Sequence, residues 1–126
     1  MDKTTHTNKK TISYSQTNKD YPIFVYATNK QVDNRNYIIR TCEPRFIAEA
    51  NIFNSEAEAD LYSNSDDRLK VKVSIKYKII VVTVLEFWDS PENYDTKVIQ
   101  AVTKRLAHWY KSQLISHYNY KRQSGF

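Results

Sequence analysis

The 126-residue sequence contains a single glycine, Gly125, and this scarcity excludes several kinds of binding and catalytic loop. A P-loop and the dinucleotide-binding fingerprint both need glycines where the backbone approaches a phosphate. The turn that presents the nucleophilic serine of α/β-hydrolases also needs flanking glycines. None of these sites can be built from this chain. Turns that require a positive φ are therefore expected to use asparagine or aspartate.

Cysteine is equally scarce, because Cys42 is the only one and no intrachain disulfide can form. The sequence shows no apolar leader and no N-glycosylation sequon, so we expect a reducing, cytoplasmic location. We interpret Cys42 as a small hydrophobic residue at the end of a strand. No apolar run is long enough to span a bilayer, and no membrane partner is expected.

Residues that would form a metal site or a catalytic pair are also missing. His6 lies near the N-terminus, whereas His108 and His117 are nine positions apart and do not share a helix face. Five carboxylates lie in one short predicted helix and the loop after it: Glu56, Glu58, Asp60, Asp66 and Asp67. At these positions they are expected to cap the helix or stabilise the loop rather than to form a catalytic pair. We therefore predict a protein that is not an enzyme and needs no metal or cofactor.

Positive charge and aromatic side chains are in excess. The chain has 19 lysines and arginines against 14 aspartates and glutamates, a net charge of +5. It also has ten tyrosines, five phenylalanines and two tryptophans. A basic surface permits an anionic partner such as nucleic acid, and exposed aromatic rings favour protein interfaces and base stacking.

Residues 69–88 are the strongest β-forming stretch, rich in β-branched residues and free of glycine, proline, asparagine and aspartate. Odd positions are apolar almost throughout, which predicts that they face the core. Fully extended, the stretch would span roughly 66 Å, although a domain of this size has a gyration radius of roughly 13 Å. It must therefore bend or break near Lys78. Because residues typical of a tight turn are missing there, we favour a bend in one long central strand.

The segments before this stretch predict three further strands and a short helix. Residues 21–27 and 37–42 read as a strand pair. The apolar pattern of residues 45–53 fits either a strand or a helix. Ser55 and Glu58 form a capping box, which predicts that a helix begins after Ser55, so we predict a strand over residues 45–53 and a helix over residues 56–62. Residues 1–19 are predicted to be a flexible basic tail, residues 20–122 a single domain and residues 123–126 a C-terminal tail.

A long C-terminal helix is predicted over residues 91–118. Ser90 or Asp89 would be its N-cap and Pro91 its first residue. Apolar side chains recur at helical spacing, and Trp109 is interpreted as part of the core. The predicted fold class is α+β: an antiparallel sheet of four to five strands with one long bent central strand, a short helix, and the long C-terminal helix packed on one sheet face.

Two surfaces emerge as candidate binding sites of a non-enzymatic module. The first is a row of lysines with nearby aromatics, which would bind single-stranded nucleic acid through phosphate contacts and stacking: Lys70, Lys72, Lys76, Lys78, Tyr77 and Tyr26. The alternative for these lysines is a solvated row that keeps sheet edges from pairing. A helix stripe of Lys97, Lys104, His108 and Lys111 is expected to be solvated.

The second surface is apolar and would bind a protein partner or a second copy of the chain. It comprises one face of the central strand and the end of the last helix: Ile80, Val82, Val84, Leu114, Ile115 and Tyr118. The sequence therefore leaves open a nucleic-acid-binding module and a protein-interaction subunit or homodimer, with an enzyme or small-ligand site as a third class.

Overall fold

The computed structural model describes residues 22–29 and 35–123, with side chains in the last helix as far as His117. The predicted tail of residues 1–19 and the side chain of Tyr118 lie outside this description. The described chain contains five strands and two α-helices: β1 (Phe24–Asn29), β2 (Arg35–Arg40), β3 (Phe46–Phe53), α1 (Glu56–Ser63), β4 (Lys70–Ile75), β5 (Lys78–Phe87) and α2 (Thr96–Gln123).

The strands form one antiparallel sheet in the order β1-β2-β3-β5-β4. Helix α2 packs on one face of this sheet, which we call the α2 face, and helix α1 packs on the opposite face, the α1 face. The predicted α+β class, the β1–β2 hairpin, the strand assignment of residues 46–53 and the two helices are confirmed.

The central stretch is two strands, so the expectation of one long bent strand was wrong. Strands β4 and β5 pair as a hairpin in which Ile75 lies opposite Lys78, which leaves only Lys76 and Tyr77 in the turn. Lys76 has a φ of 52°, a left-handed conformation expected of asparagine or aspartate. The hydrogen-bonded ladder of six residue pairs offsets the conformational cost of about 1–2 kcal/mol at Lys76.

This two-residue turn decides which side chains share a face. Val71 lies opposite Val82 and Val73 opposite Ile80, so odd positions of β4 and even positions of β5 both face α2. The prediction that all odd positions share the core face therefore fails after the turn. Thr83 instead lies on the α1 face, where it is fully buried.

The core lies between α2 and the α2 face. Its buried residues come from all the strands except β1 and from the inner side of α2: Ile38, Phe46, Ala48, Ala50, Val73, Ile80, Val82, Val84, Val102, Leu106, Ala107 and Tyr110. Phe24 of β1 adds a partly buried ring, which lies 5.3 Å from the ring of Trp109. Trp109 is thus half-buried at the margin of the core rather than inside it.

Helix α1 covers the opposite face over β5 and β3. The Ser55 hydroxyl accepts a hydrogen bond from the Glu58 N–H, as the capping box predicts, and the Glu58 carboxylate accepts one from the Asn54 N–H. Tyr62 anchors the helix to the sheet, because its hydroxyl accepts from the Asn51 amide at 3.1 Å and lies 3.3 Å from the Thr83 hydroxyl.

Helix α2 begins five residues later than predicted. Ser90 precedes Pro91 as expected, but these residues open a short 3-10 helix, Pro91–Asn93. Tyr94 is then extended and only 2 % exposed, because its ring belongs to the core. The Asp95 carboxylate accepts the Lys97 N–H at 2.9 Å and caps the α-helix instead.

The core predicts a clear difference between two leucines. Leu106 of α2 is fully buried, whereas Leu61 of α1 is 76 % exposed. Leu106→Ala should lower the free energy of unfolding by about 2–5 kcal/mol, because it leaves a cavity, while Leu61→Ala should change it by less than about 0.5 kcal/mol. Urea unfolding followed by circular dichroism measures both; equal losses would contradict this packing.

Tyr110 predicts a loss of stability at alkaline pH. Burial, reinforced by the nearby Tyr26, raises the pKa of Tyr110 to about 12, against about 10 in an unfolded chain. Between these values the native state holds a proton that the unfolded state has lost, so the free energy of unfolding falls as pH rises. Tyr110→Phe should remove this component in unfolding curves measured across that range. An unchanged fall in the variant would contradict the assignment.

Candidate functional site

The four lysines of the predicted row do not share one face. Lys70 and Lys72 of β4 lie on the α1 face, Lys76 is in the turn and Lys78 of β5 lies on the α2 face. The cause is again the two-residue turn, which exchanges the faces of odd and even positions. The helix stripe containing Lys104 lies on α2, away from Lys70 and Lys72.

Lys70 is held within the α1 face rather than offered to solvent. Its side chain is 5 % exposed, its ammonium donates a hydrogen bond to the Asp66 carboxylate, and it lies 5.9 Å from the centre of the Tyr62 ring. The hydrogen bond from Lys70 lowers the pKa of Asp66. The charge of Lys70 is therefore offset inside the chain.

Lys72 also has carboxylate partners on α1. Its ammonium lies 2.6 Å from the Asp60 carboxylate and 3.0 Å from that of Glu56. These hydrogen bonds raise the pKa of Lys72. The carboxylates around α1 thus act as partners for β4 lysines, which links the short helix to the sheet.

The first concave surface lies where the β4–β5 turn meets the second half of α2. This turn groove has a volume of about 340 Å³ and is lined by Ile52, Ile75, Lys76, Tyr77, Lys78, Leu114 and Ile115. The lining is apolar apart from the two lysines. Tyr77 is 94 % exposed, Ile52 43 % and Ile115 38 %.

Each side of the turn groove follows from the local fold. Ile52 and Ile75 lie near the ends of β3 and β4, and the hairpin turn places Tyr77 beside them. Leu114 and Ile115 come from α2 beyond its fully buried segment. The turn groove thus brings together residues of both predicted sites. Lys76, Tyr77 and Lys78 come from the predicted nucleic-acid site, and Leu114 and Ile115 come from the predicted apolar interface.

The three β5 members of the predicted apolar interface are covered within the chain. Ile80 and Val82 are fully buried and Val84 is 5 % exposed, because α2 of the same chain covers them. Assigning them to an intermolecular interface was wrong. The turn placed them on the α2 face, and the sequence offered no sign of which helix would cover that face.

Tyr26 is separate from the turn groove. It lies on β1 with its ring 5.9 Å from the ring of Tyr110, and its hydroxyl donates to the Asn36 side-chain oxygen at 2.8 Å and accepts from Thr28 at 2.9 Å. Tyr26 lies on the α2 face, and Phe24 on the same face lines a second concave surface.

This second concave surface, the helix groove, runs between β1 and α2. It has a volume of about 520 Å³ and is lined by Phe24, Ala101, Lys104, Arg105, His108, Trp109 and Ser112. The six α2 residues follow helical spacing and form one stripe beside the buried face. From the sequence, Lys104 and His108 were expected to be solvated and Trp109 to belong to the core. Their helical spacing is the signal that could have placed all three in one groove.

A buried arginine lies beside the helix groove. Arg40 of β2 is 4 % exposed, and its guanidinium lies 5.9 Å from the centre of the Phe24 ring. One terminal nitrogen donates to the Glu43 carbonyl at 3.0 Å, whereas the buried Nε has no hydrogen-bond partner among the described residues. Burial lowers the pKa of Arg40, with Arg105 acting in the same direction. Nothing in the sequence distinguished Arg40 from a surface arginine.

Within residues 22–29 and 35–123, no group of three or more histidine, cysteine, aspartate or glutamate residues is arranged to hold a metal ion. Neither described helix has an apolar stretch long enough to cross a bilayer. The chain has no significant match among protein-family models, curated proteins or solved structures. The geometry of the two grooves is therefore the basis for any functional proposal.

The ion pairs on the α1 face predict a structural role for two lysines. The variant in which both Lys70 and Lys72 become alanine should lower the Tm by a few degrees, because two carboxylates of α1 and Asp66 of the following loop lose their partners. The loss of Tm should be smaller in 1 M salt, because the Debye length is then about 3 Å and the ion pairs are already screened. Differential scanning calorimetry measures it.

The matched control is Lys97→Ala, which removes an exposed lysine of α2. Its Tm should stay unchanged. If the double variant instead kept its Tm and lost affinity for a short thymidine oligonucleotide, the two lysines would be phosphate contacts after all.

Proposed function

We propose that the chain is a non-enzymatic binding module that takes an apolar segment of a partner protein, flanked by acidic residues, in the turn groove. The observation that carries this proposal is the nearly complete exposure of Tyr77 above an apolar lining. Exposed aromatic residues beside apolar concavities are typical of protein interfaces.

The turn groove offers enough apolar surface for specific binding. An aromatic side chain such as Tyr77 buries about 150–250 Å² in a complete interface. At about 25 cal/mol per Å², this burial contributes roughly 4–6 kcal/mol before the entropic costs of association. Ile52 and Ile115 extend the same patch, so a short peptide segment can reach moderate affinity.

Charge favours an acidic partner over a second copy of this chain. Lys76 and Lys78 line the turn groove and carry positive charge at its margin. A two-fold contact centred on this groove would place the same basic margin on both sides of the interface, and like charges across an interface are costly. Acidic residues beside the apolar anchor of a partner would complement these lysines.

The turn groove is less suited to nucleic acid. Its lining carries only two cations, and Lys70 and Lys72, which would have continued the row, are bonded to carboxylates on the opposite face. A track for a phosphate backbone needs successive unpaired cations along one path.

Selection from a library of random 12-residue peptides tests the proposal. Enriched peptides should combine an aromatic or aliphatic anchor with aspartate or glutamate. Tyr77→Ala and Ile115→Glu should each lower the affinity of an enriched peptide by roughly tenfold or more, because hot-spot side chains are lost. Fluorescence anisotropy of the labelled peptide gives the affinity.

Leu61→Ala is the matched control, since it removes another exposed apolar side chain, on α1 and outside the groove. It should leave the affinity unchanged. Enriched peptides without acidic residues, or binding that survives both groove variants, would overturn the proposal. So would sedimentation that shows a dimer lost in Tyr77→Ala, because the groove would then be occupied by a second copy.

A further inference from the structure

The helix groove combines side chains that recognise two different parts of a ligand. The Phe24 and Trp109 rings provide an aromatic wall, and Lys104 and Arg105, five and four residues before Trp109, provide positive charge. His108 and Ser112 add hydrogen-bonding groups along the same stripe. An aromatic wall beside paired cations suits a ligand that carries both a planar ring and an anionic group.

Arg40 places a third cation close to the helix groove. Its guanidinium lies against Phe24, a lining residue of the helix groove, and its electrostatic neighbour Arg105 is another. Together with Lys104 and Arg105, which line the groove, Arg40 makes this end of the helix groove rich in cationic side chains.

The size of the helix groove is compatible with a small ligand. Its volume of about 520 Å³ lies within the range of about 300–1,000 Å³ that is typical of small-ligand sites. It is open along the helix, so a ligand can extend beyond it. An acidic peptide would satisfy the cations, but would leave the aromatic wall without a planar partner.

We propose that the helix groove binds a nucleoside phosphate, with its base against Trp109 and its phosphate between Lys104 and Arg105. Ser112 and His108 would hydrogen-bond the base or the sugar. The nucleoside phosphate is either a free mononucleotide or one unit of a single-stranded nucleic acid. This site lies on a different surface from the turn groove and does not depend on the proposed peptide binding.

Tryptophan fluorescence provides the test, because the chain has only two tryptophans. In Trp88→Phe, Trp109 is the sole tryptophan, and titration with uridine monophosphate or with a short thymidine oligonucleotide should quench it saturably. Lys104→Glu in this background should weaken binding by roughly tenfold or more, since a charge-assisted contact becomes repulsive. Lys97→Glu, on the same helix outside the groove, is the matched control and should bind as the parent does.

The two ligands distinguish the sources. Equal affinity for both would identify a mononucleotide site, whereas binding of the oligonucleotide alone, with a log–log salt slope of about −1.4 for two phosphate contacts, would identify single-stranded nucleic acid. Absence of quenching by either ligand would overturn the proposal. Quenching by hexaglutamate alone would also overturn it, because the groove would then be an acidic-peptide site. Tyr77→Ala should change none of these results.

Discussion

The arrangement of side chains in strands β4 and β5 depends on the two-residue turn of Lys76 and Tyr77. Because this turn holds an even number of residues, it pairs odd positions of β4 with even positions of β5. Apolar residues of both strands then meet under α2, while Lys70 and Lys72 fall on the other face beside the carboxylates of α1. The same turn projects Tyr77 over the apolar groove. Core, ion pairs and candidate site thus share one local cause.

Most of the fold was predictable from local patterns. β-branched alternation located the strands, and the capping box of Ser55 separated β3 from α1. The turn was not predictable in this way, because a lysine accepts a positive φ only when the paired strands around it supply compensating hydrogen bonds. Helix α2 also begins later than predicted, at Thr96, because of packing that the local sequence pattern does not show. The buried ring of Tyr94 holds its backbone extended where helical spacing alone would continue to Pro91.

The binding surfaces were predictable only in part, because they depend on contacts between distant segments. The sequence identified Tyr77, Leu114 and Ile115, but assigned them to different sites. It could not show that Lys72 is bonded to Asp60, twelve residues away, or that α2 covers Val82. Arg40 was missed because burial of an arginine depends on the whole packing and leaves no periodic signal. These contacts between distant segments are determined by strand order and register, which local sequence patterns do not specify.

Strand β5 is enclosed on both sides, and this has a consequence for the lifetime of the folded chain. Residues 80–84 are all buried, with Val81 and Thr83 on the α1 face. Uncharged β-branched segments of this kind associate readily into fibrils when exposed. The α1 face is covered by the eight-residue helix α1, and a short element of this kind can open without unfolding of the whole chain. Local opening of α1 would therefore expose Val81 and Thr83 to other chains while α2 and its core stayed in place.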